Sequence, residues 1–403
     1  MRVAFVSVSA QMGGSEAVLL EILRGLKQSR ATWSVQLVAP ADGSLPRAAR
    51  GSGVDVAVVA MPASIARVGE TAAVNGTAVR LPLQLLRAAV DVPGYRRDLD
   101  AALGRLAPDV IHTNGFKAHV FAAQRRSSAA LIWHVHEYIS RRPLTRALLR
   151  RYAPQCDAIV ANSESVAADV RGVIDGVPIA TIHNAVNLET FSPHGATADL
   201  DALSELPPAA AGTIRVGLPA TFARWKGHTV FLDALAMLPR DTSVRGYVIG
   251  GPLYDTRGSQ HTIAELREHA RAVGAGERIG FTGFVDQPAT ALRALDIVVH
   301  ASTEPEPFGM VIAEAMACGR AVITTGTGGA AELVRPDRDA IVHRRGDAAD
   351  LARCIASLAT DPERRRCLAD QARASAVERF DARRMTEQLA RLYEETLSTR
   401  SAR

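Results

Sequence analysis

The fold is decided by one stretch, Ser302-Thr-Glu-Pro-Glu-Pro-Phe-Gly-Met-Val-Ile-Ala-Glu-Ala-Met-Ala-Cys-Gly-Arg320. It follows the apolar run Asp296–His300, which predicts a buried strand, and its second part predicts a helix from about Phe308 to Cys318. Glu306 lies in the turn before this helix, and Glu314 lies about two turns along it, roughly 9 Å in axial rise from the helix start. The free amides and the positive dipole end of such a helix attract phosphates. Carboxylates accept hydrogen bonds from sugar hydroxyls, so the combination is typical of a nucleotide-sugar site.

Length and composition limit the classes of protein that the chain can belong to. Its 403 residues suit two domains of roughly 150–200 residues, and its 47% apolar and 22% charged content is typical of a soluble globular protein. No apolar run approaches the ~20 residues that span a bilayer, and the N-terminal run Met1–Val8 lacks the length and cleavage context of a signal peptide.

Cysteine spacing and charge indicate the compartment and the kind of partner. The four cysteines show no metal-binding spacing, so we expect reduced thiols in a cytoplasmic protein. The formal charge is +5, and the positive charge is mainly clustered arginine. Such clusters favour anionic ligands or a membrane surface; nucleic acid is not expected, because basic and aromatic residues are not interleaved.

The first half of the chain alternates short apolar runs with helical or loop segments, which predicts a parallel, doubly wound sheet. Gly13-Gly14 separates the first strand from the helix Glu16–Leu26, where a ligand can approach the backbone closely, although glycine there can also serve only the turn. The predicted strands are Val3–Val8, Trp33–Pro40, Val54–Val59, Asp109–His112, Leu131–His136, Ala158–Asn162 and Ala180–Ile182.

The alternation stops in a Pro/Ala/Asp-rich segment and then restarts. We therefore predict a first domain over residues 1–194, a linker over 195–212 and a second domain over 213–380. The helix predicted over 381–400 is expected to cross back onto the first domain. The strands predicted for the second domain are Ile214–Pro219, Arg245–Gly250, Arg278–Thr282, Asp296–His300, Ala321–Thr325 and Ala340–Val342.

Three segments of the first domain suggest contact with ligands. His136-Glu137 ends a strand, where ligands bind in such sheets, although a strand histidine is often structural. Residues 140–152 predict a basic helix with Leu144, Leu148 and Leu149 on one side. This helix is either a solvated surface helix or a contact with anionic lipid or an acidic acceptor. Residues 65–90 are a further candidate acceptor-side element.

The loops of the second domain carry the charges that a diphosphate requires. Arg224-Trp-Lys-Gly-His228 precedes the predicted helix Thr229–Leu238, and its arginine and lysine suit the charge that builds on a leaving diphosphate. A basic loop can also be merely solvated. Gly250-Gly251-Pro252 predicts a tight turn, and Phe281–Asp286 offers backbone groups and an apolar wall, Phe284, for a base. Gly326–Gly329 follows the next strand and is expected to close the pocket below the Glu306 helix.

In chain order, these motifs resemble those of the retaining glycosyltransferases of family 4. The resemblance covers nearly the whole chain, and Glu-x7-Glu with its internal Phe-Gly is its most specific part. It implies an α/β protein of the GT-B fold: two Rossmann-like, doubly wound parallel-sheet domains facing an interdomain cleft, with the C-terminal helix crossing back. The matching motifs are Gly13-Gly14, His136-Glu137, Asn184-Ala-Val-Asn187, Trp225-Lys-Gly-His228, Thr282-Gly-Phe284, Glu306-Pro-Phe-Gly309 through Glu314, and Gly328-Gly329 through Glu332.

The resemblance also implies roles for single residues. Glu306 would contact the transferred sugar near its anomeric carbon, Glu314 the ribose diol, and Lys226 the diphosphate. It implies that His136 lies near the sugar and the acceptor. We take Glu306, His136 and Lys226 as the catalytic set and add Arg224 for the charge it offers to the diphosphate. Donor contacts are implied for Gly13, Gly14, Arg224, Lys226, Gly251, Phe284, Val285, Glu306, Phe308, Gly309, Met310, Val311 and Glu314.

Two positions depart from the family pattern. Where the family commonly has Gly-Arg after the first strand of the second domain, this chain has Ala220-Thr221. Either Arg224 takes over the pairing with the diphosphate, which we favour, or the leaving group is stabilised less. The second departure is Asn184-Ala185, where the family usually has Asn-Gly.

The expected function is retaining, metal-independent transfer of a sugar from a nucleotide-diphosphate sugar, without a further cofactor. Uridine diphosphate is the expected carrier, with guanosine diphosphate second. The acceptor hydroxyl would belong to a glycan, a lipid-linked saccharide or a small natural product. The expected location is the cytoplasm, with peripheral contact to the inner face of the membrane through residues 140–152. The alternatives are a GT-B epimerase, a pseudo-glycosyltransferase that forms a C–N bond, and a non-catalytic nucleotide-sugar-binding protein.

Overall fold

The computed structural model describes residues 1–68, 80–239, 241–252 and 259–402. These residues form two compact units: Met1–Ala185 together with the segment from Ala382, and Val186–Asp381. Of the segment 65–90, residues 69–79 lie outside the described residues. None of the helices in the described part of the chain is both long and apolar enough to cross a bilayer.

The first unit is built on a parallel sheet whose described strands have the order β3-β2-β1-β4-β5-β6-β7. These strands are β1 Arg2–Ser7, β2 Ser34–Ala39, β3 Asp55–Val58, β4 Val110–Asn114, β5 Ala130–Val135, β6 Ala158–Ala161 and β7 Ile179–Thr181. Its helices before the chain leaves the unit are α1 Gly14–Ser29, α2 Ser44–Gly51, α3 Ala63–Ala66, α4 Arg80–Leu106, α5 Phe116–Ala123, α6 Pro143–Tyr152 and α7 Glu164–Arg171.

The second unit repeats this plan with the described strand order β10-β9-β8-β11-β12-β13. Its strands are β8 Ile214–Pro219, β9 Val244–Ile249, β10 Ile279–Gly283, β11 Ile297–His300, β12 Ala321–Thr324 and β13 Ile341–Val342. Its helices are α8 Leu200–Leu203, α9 His228–Ala236, α10 Ile263–Ala272, α11 Pro288–Arg293, α12 Met310–Ala317, α13 Ala330–Leu333, α14 Ala348–Thr360 and α15 Pro362–Arg379.

Burial explains why these runs form central strands. Every residue of β4, β5, β6, β11 and β12 is buried, as expected for parallel strands covered by helices on both faces, and most of these residues are apolar. In each sheet, the two strands that follow the first strand (β1 or β8) lie on one side of it, and the later strands lie on its other side. The strand order therefore reverses next to β1 and next to β8. Ligands bind outside the carboxyl ends of the strands at such switch points. The predicted pair of Rossmann-like parallel-sheet domains is confirmed.

The domain boundary lies earlier than the sequence predicts. Residues 195–212 are not a free linker, because the second unit begins at Val186. Asp201 of α8 is buried and accepts hydrogen bonds from Arg245 at 2.6 Å and Tyr247 at 2.6 Å, both on β9. The Pro/Ala/Asp composition of this segment is typical of a linker, but its one buried carboxylate fastens it to the second sheet.

The C-terminal helix, α16 Ala382–Ser401, packs against α1 in the first unit, as predicted. Leu389 and Tyr393 are fully buried in this contact region, and Arg30 pairs with Glu387 at 2.8 Å. A β-carbon added at Gly25 would lie 2.2 Å from the Thr386 hydroxyl oxygen, so glycine there permits the two helices to approach closely.

Candidate active site

The centre of the candidate site is an ion pair between the partly buried Lys226 and the buried Glu306. The Lys226 ammonium donates to both carboxylate oxygens, at 3.0 Å to Oε1 and 2.9 Å to Oε2. Lys226 ends the 3-10 turn 224–226 that precedes α9, and Glu306 lies in the loop between β11 and α12. Two residues eighty positions apart therefore meet at the carboxyl edge of the second sheet, as expected for a ligand site in this fold.

Two further side chains contact the Glu306 carboxylate, and a third contacts one of these two. Its Oε2 accepts from the Ser302 hydroxyl at 2.9 Å and contacts His300 Nε2 at 3.2 Å. His300 Nδ1 in turn lies 3.0 Å from the Thr324 hydroxyl. The prediction named none of these three residues as part of the site. His300 was visible only as the polar end of an otherwise apolar strand, which is a weak signal.

Electrostatics keep Glu306 ionised although it is buried. Burial by itself raises the pKa of the carboxyl group, but the charge of Lys226 and the hydrogen bond with His300 hold that pKa below its ordinary value. The site therefore contains one carboxylate and one ammonium that neutralise each other. A ligand that carries negative charge has to compete with Glu306 for Lys226.

Two glycines set the backbone on either side of this pair. Gly227 has φ +77°, and a β-carbon there would lie 1.9 Å from the carbonyl oxygen of Ala301. Gly309 has φ +96° and caps the N-terminus of α12. Both positions favour glycine, because other residues rarely adopt the left-handed region. The starts of α9 and α12, with their outward-pointing amides, are thus placed beside Lys226 and Glu306.

Helix α12 carries the other residues of the Glu-x7-Glu motif. Glu314 is half-buried, and burial raises the pKa of its carboxyl group to about 7. The Phe308 side chain is buried edge-on against Phe380, with ring centroids 6.2 Å apart, so Phe308 packs in the core. Met310 and Val311 are partly buried. Contacts from α12 to a donor remain a prediction.

Arg224, on the same 3-10 turn as Lys226, contacts two residues at the start of α10. Its guanidinium group lies 3.2 Å from Glu265 and 3.3 Å from the His261 ring. Glu265 also forms the capping box of α10 with Thr262, so this carboxylate also stabilises the start of that helix. The proposed replacement of the missing arginine at Thr221 by Arg224 remains a prediction.

Two of the residues predicted to contact the donor, Gly251 and Phe284, lie together. A β-carbon at Gly251 would lie 2.9 Å from the Phe284 ring, which shows that this ring packs over the glycine. Phe284 is 58% exposed, and Val285 is partly buried against the core of the second unit. An exposed aromatic ring beside a glycine turn offers a surface on which a base can stack.

In the first unit, His136 lies just after β5, at the carboxyl edge of the sheet. Its Nε2 lies 2.6 Å from Asn114 Oδ1, so Nε2 carries the proton and donates it. Burial lowers the pKa of His136 to about 4, which leaves the ring neutral at pH 7. The neighbouring Glu137 is exposed and pairs with Arg142 at 2.8 Å.

Behind His136 lies a chain of buried aromatic groups that the sequence did not predict. The His136 ring contacts the His134 ring at a tilt of 31°, with centroids 4.0 Å apart, and His134 Nδ1 lies 3.2 Å from His112 Nε2. His112 Nδ1 then meets the Tyr393 hydroxyl at 2.7 Å. Burial lowers the pKa of His112 to about 3. Helix α16 is thereby connected to the carboxyl edge of the first sheet.

Gly13 and Gly14 lie at the start of α1, as predicted. Gly13 is the N-cap, and a β-carbon there would lie 2.7 Å from the Glu16 carboxylate. Glu16 is buried, and this burial raises the pKa of its carboxyl group. The prediction treated Glu16 only as the first residue of the helix. A contact between these glycines and a donor remains a prediction.

The basic segment forms α6, but its leucines do not share one environment. Leu149 is fully buried, whereas Leu144 and Leu148 are 43% and 39% exposed. Of the three leucines expected on the apolar side of α6, only Leu149 is therefore packed in the interior of the unit. The membrane contact of this segment stays a prediction.

The comparisons with known proteins agree with this architecture. A model described as Glycosyltransferase Family 4 matches residues 12–190, and one described as Glycosyl transferases group 1 matches residues 211–375. The structure of Anabaena HepE in complex with UDP superposes with a TM-score of 0.78 at 25% sequence identity, covering 99% of this chain and 100% of that one.

Two curated relatives carry more specific names. D-inositol 3-phosphate glycosyltransferase 2 of Catenulispora acidiphila is 31% identical over 52% of this chain and 49% of its own length. The lipopolysaccharide core biosynthesis mannosyltransferase LpcC of Rhizobium leguminosarum bv. viciae is 29% identical over 59% of this chain and 67% of its own length. The match spans about half the length of the inositol-phosphate enzymes. With one family model matching each half and the same fold over its whole length, the chain belongs to the family 4 glycosyltransferases of the GT-B fold.

Proposed function

We propose that the protein transfers a glycosyl unit from a nucleotide-diphosphate sugar to an acceptor hydroxyl, with the anomeric configuration retained. The observation that carries the proposal is the partly buried Lys226–Glu306 pair at the carboxyl edge of the second sheet. An ammonium for a diphosphate and a carboxylate for sugar hydroxyls are the two groups that such a donor requires. Family membership supports the same activity.

In the proposed reaction, the bond from the anomeric carbon to the phosphate oxygen breaks and a bond to the acceptor oxygen forms on the same face. The departing phosphate oxygen takes the acceptor proton. Lys226 and the amides at the start of α12 hold the diphosphate as its charge builds, and Glu306 orients the sugar. Arg224 would leave Glu265 to join them. The protein supplies positioning and charge, so activity in excess EDTA is expected to equal that without it.

His136 has a narrower role in this proposal. Because burial lowers its pKa to about 4, the ring is neutral at pH 7 and cannot act as a cation toward the diphosphate. Its Nε2 proton is directed to Asn114, which leaves Nδ1 as a hydrogen-bond acceptor. A neutral acceptor suits a hydroxyl group of the sugar or of the acceptor substrate.

For the donor we propose a uridine diphosphate sugar, with guanosine diphosphate second. Support comes from the HepE structure, which was determined with UDP. The names of the curated relatives differ in their acceptors, inositol phosphate or lipopolysaccharide core. We therefore keep the acceptor class broad: a hydroxyl of a glycan, a lipid-linked saccharide or a small natural product. A non-catalytic nucleotide-sugar-binding protein is the second candidate, because Thr221 replaces the expected arginine.

A donor panel tests this proposal. Purified protein is screened by thermal unfolding with UDP- and GDP-linked sugars, and a ligand at 100 times its Kd should add about 2.7 kcal/mol to the unfolding free energy. Donors that stabilise the protein are then supplied with a labelled sugar, and the products are separated. Transfer or hydrolysis with retained configuration is the expected result. Binding without any turnover would favour the non-catalytic alternative, and formation of an epimer or a C–N bond would favour the other enzymes.

A further inference from the structure

A line of hydrogen bonds runs behind Glu306, on the side of its Oε2 atom. The backbone N–H of Gly326 donates to the Thr324 hydroxyl at 3.2 Å, and this hydroxyl lies 3.0 Å from His300 Nδ1. His300 Nε2 then reaches Glu306 Oε2 at 3.2 Å, and Ser302 donates to the same oxygen at 2.9 Å. His300, Ser302 and Thr324 are all buried. We refer to these three residues as the Glu306 support.

The chemistry of the groups sets the direction of these hydrogen bonds. An ionised carboxylate only accepts, so His300 Nε2 must carry the proton that faces Glu306. At the other end, one lone pair of the Thr324 hydroxyl is taken by the Gly326 N–H, and its own proton is available to His300 Nδ1. Both ends therefore favour the same tautomer, in which the ring donates toward Glu306. Ser302 Oγ lies 3.0 Å from the same ring nitrogen and completes the cluster.

Two residues of the Glu306 support end neighbouring strands that are fully buried in the second unit. His300 is the last residue of β11 and Thr324 the last of β12, and the two are register partners in the parallel sheet. The adjacent loop is also fastened, because the Glu306 carbonyl accepts from the Gly329 N–H at 2.7 Å. The support thus keeps its place whichever way the Lys226 side chain points.

Lys226, by contrast, is the partner that the proposed reaction needs elsewhere. In this structure both oxygens of Glu306 accept from its ammonium. A diphosphate carries more negative charge than one carboxylate and draws the ammonium away. Glu306 would then lose both hydrogen bonds to Lys226 and become a buried charge without its counterion, a state that is costly unless other donors remain.

We propose that His300 is a positioning residue, which together with Ser302 and Thr324 keeps Glu306 ionised and oriented toward the sugar once Lys226 has turned to the diphosphate. This inference rests on the proposed function. In this proposal, Lys226 binds the donor phosphates, whereas the Glu306 support contributes to the step in which the sugar is transferred. Loss of His300 should therefore affect turnover far more than donor binding.

The test compares His300→Leu, His300→Gln and a matched control in the full-length protein. Leucine removes both ring nitrogens, whereas a glutamine amide N–H can reach the position of Nε2. His300→Leu should lower kcat at least about tenfold while the Kd for UDP, measured by calorimetry, changes less than about threefold. His300→Gln should restore kcat to within about threefold of the wild type. The control is His269→Leu, which removes another histidine–carboxylate contact, that with Asp233 at 2.7 Å, outside the site.

Thr324→Val keeps the experiment informative if His300→Leu does not fold, because it leaves the ring in place and removes the hydroxyl that contacts Nδ1 and accepts from the Gly326 N–H. A several-fold loss of kcat with unchanged UDP affinity is expected for this variant. The inference is overturned if the wild type turns over donor and the folded His300→Leu and Thr324→Val variants match it. It is also overturned if His300→Gln loses as much kcat and UDP affinity as His300→Leu, since that pattern marks a merely structural histidine. A wild type that turns over no donor overturns the proposed function, and the inference with it.

Discussion

At the scale of single residues, Lys226 and Glu306 are the two side chains of the second unit on which the proposed reaction depends most. Each is the counterion of the other and, in the proposed function, each also binds part of the donor. Lys226 additionally lies over the Trp225 ring, with its nitrogen 4.1 Å from the ring centroid. The ammonium is thus held between an aromatic face and a carboxylate until a stronger anion competes for it.

Removal of either member of the pair should abolish most activity. We expect Lys226→Ala and Glu306→Ala each to lower kcat at least ~100-fold, because a preorganised charge is lost from the site. Initial rates with a saturating labelled donor provide the measurement. Lys27→Ala, at an exposed position of α1, is the charge-matched control and should keep full activity. Rates close to wild type for both site variants would exclude the assignment.

Glu314 should make stability depend on pH. Its folded-state pKa, about 7, lies above the ordinary value of 4.5, so the folded protein binds this proton more tightly than the unfolded chain. The unfolding free energy therefore falls as pH rises from about 4.5 to 7, and Glu314→Gln removes this loss. We expect the variant to be more stable than wild type by about 3 kcal/mol at pH 8, with almost no difference at pH 4.5.

Urea unfolding at the two pH values measures this difference. Glu268→Gln, an exposed position on α10, serves as the control and should leave the stability unchanged at both. An equal stability difference for Glu314→Gln at pH 4.5 and pH 8 would show that Glu314 does not titrate in this range. The same variant should bind UDP more weakly if Glu314 accepts hydrogen bonds from the ribose diol.

At the scale of elements, the junction between β11 and α9 depends on one glycine. At Gly227 the backbone has φ +77° and a β-carbon would meet the Ala301 carbonyl oxygen at 1.9 Å, so even alanine requires the two segments to separate. This contact places the turn 224–226, and hence Lys226, beside the end of β11. The geometry of the ion pair is therefore set by backbone packing as well as by the charges.

We expect Gly227→Ala to reduce the unfolding free energy by more than about 2 kcal/mol, because it adds both backbone strain and a steric clash. Gly104→Ala is the matched control: it lies inside α4, with no atom within 4 Å of the added carbon, and should stabilise by about 0.5–1 kcal/mol. Urea denaturation of both variants tests the contrast. A neutral Gly227→Ala would mean that the junction adjusts without cost.

At the scale of the whole molecule, the first unit is discontinuous in sequence and the second is continuous. Helix α16 returns to the first unit and buries Leu389 and Tyr393 there, and Tyr393 is hydrogen-bonded to His112 of β4. Removing the helix would expose this apolar surface and leave the buried His112 without its hydroxyl partner, which is costly. The last twenty or so residues should therefore matter only to the first unit.

Truncation after Asp381 tests this dependence by hydrogen exchange. Peptides from β4 and β5 should lose most of their protection, whereas peptides from β8 and β11 should keep theirs. Replacing Tyr393 by phenylalanine in the full chain removes only the hydroxyl and should cost about 1–3 kcal/mol of stability in the first unit. Equal loss of protection in both units would show that they do not unfold separately.

Much of this architecture could be predicted because it depends on local pattern. Apolar runs of four to six residues alternate with helical periods, and the structure confirms them as parallel strands. Glu306 and Lys226 stood out because their residue types and motif spacing are specific. The boundary at Val186 could not be predicted, since it depends on Asp201 being hydrogen-bonded by residues of β8 and β9.

The sequence by itself determined the two doubly wound units, the return of the last helix and the two carboxylates of the α12 motif. Hydrophobic periodicity and motif spacing are local properties of the sequence, so they can be recognised without the structure. Only the tertiary structure decided which side chains meet. It paired Lys226 with Glu306, turned Arg224 to Glu265, buried Phe308 in the core, and placed His300 and Thr324 behind Glu306. These contacts join neighbouring strands and loops that are far apart in sequence. They follow from strand order and register, which no single stretch of the chain encodes.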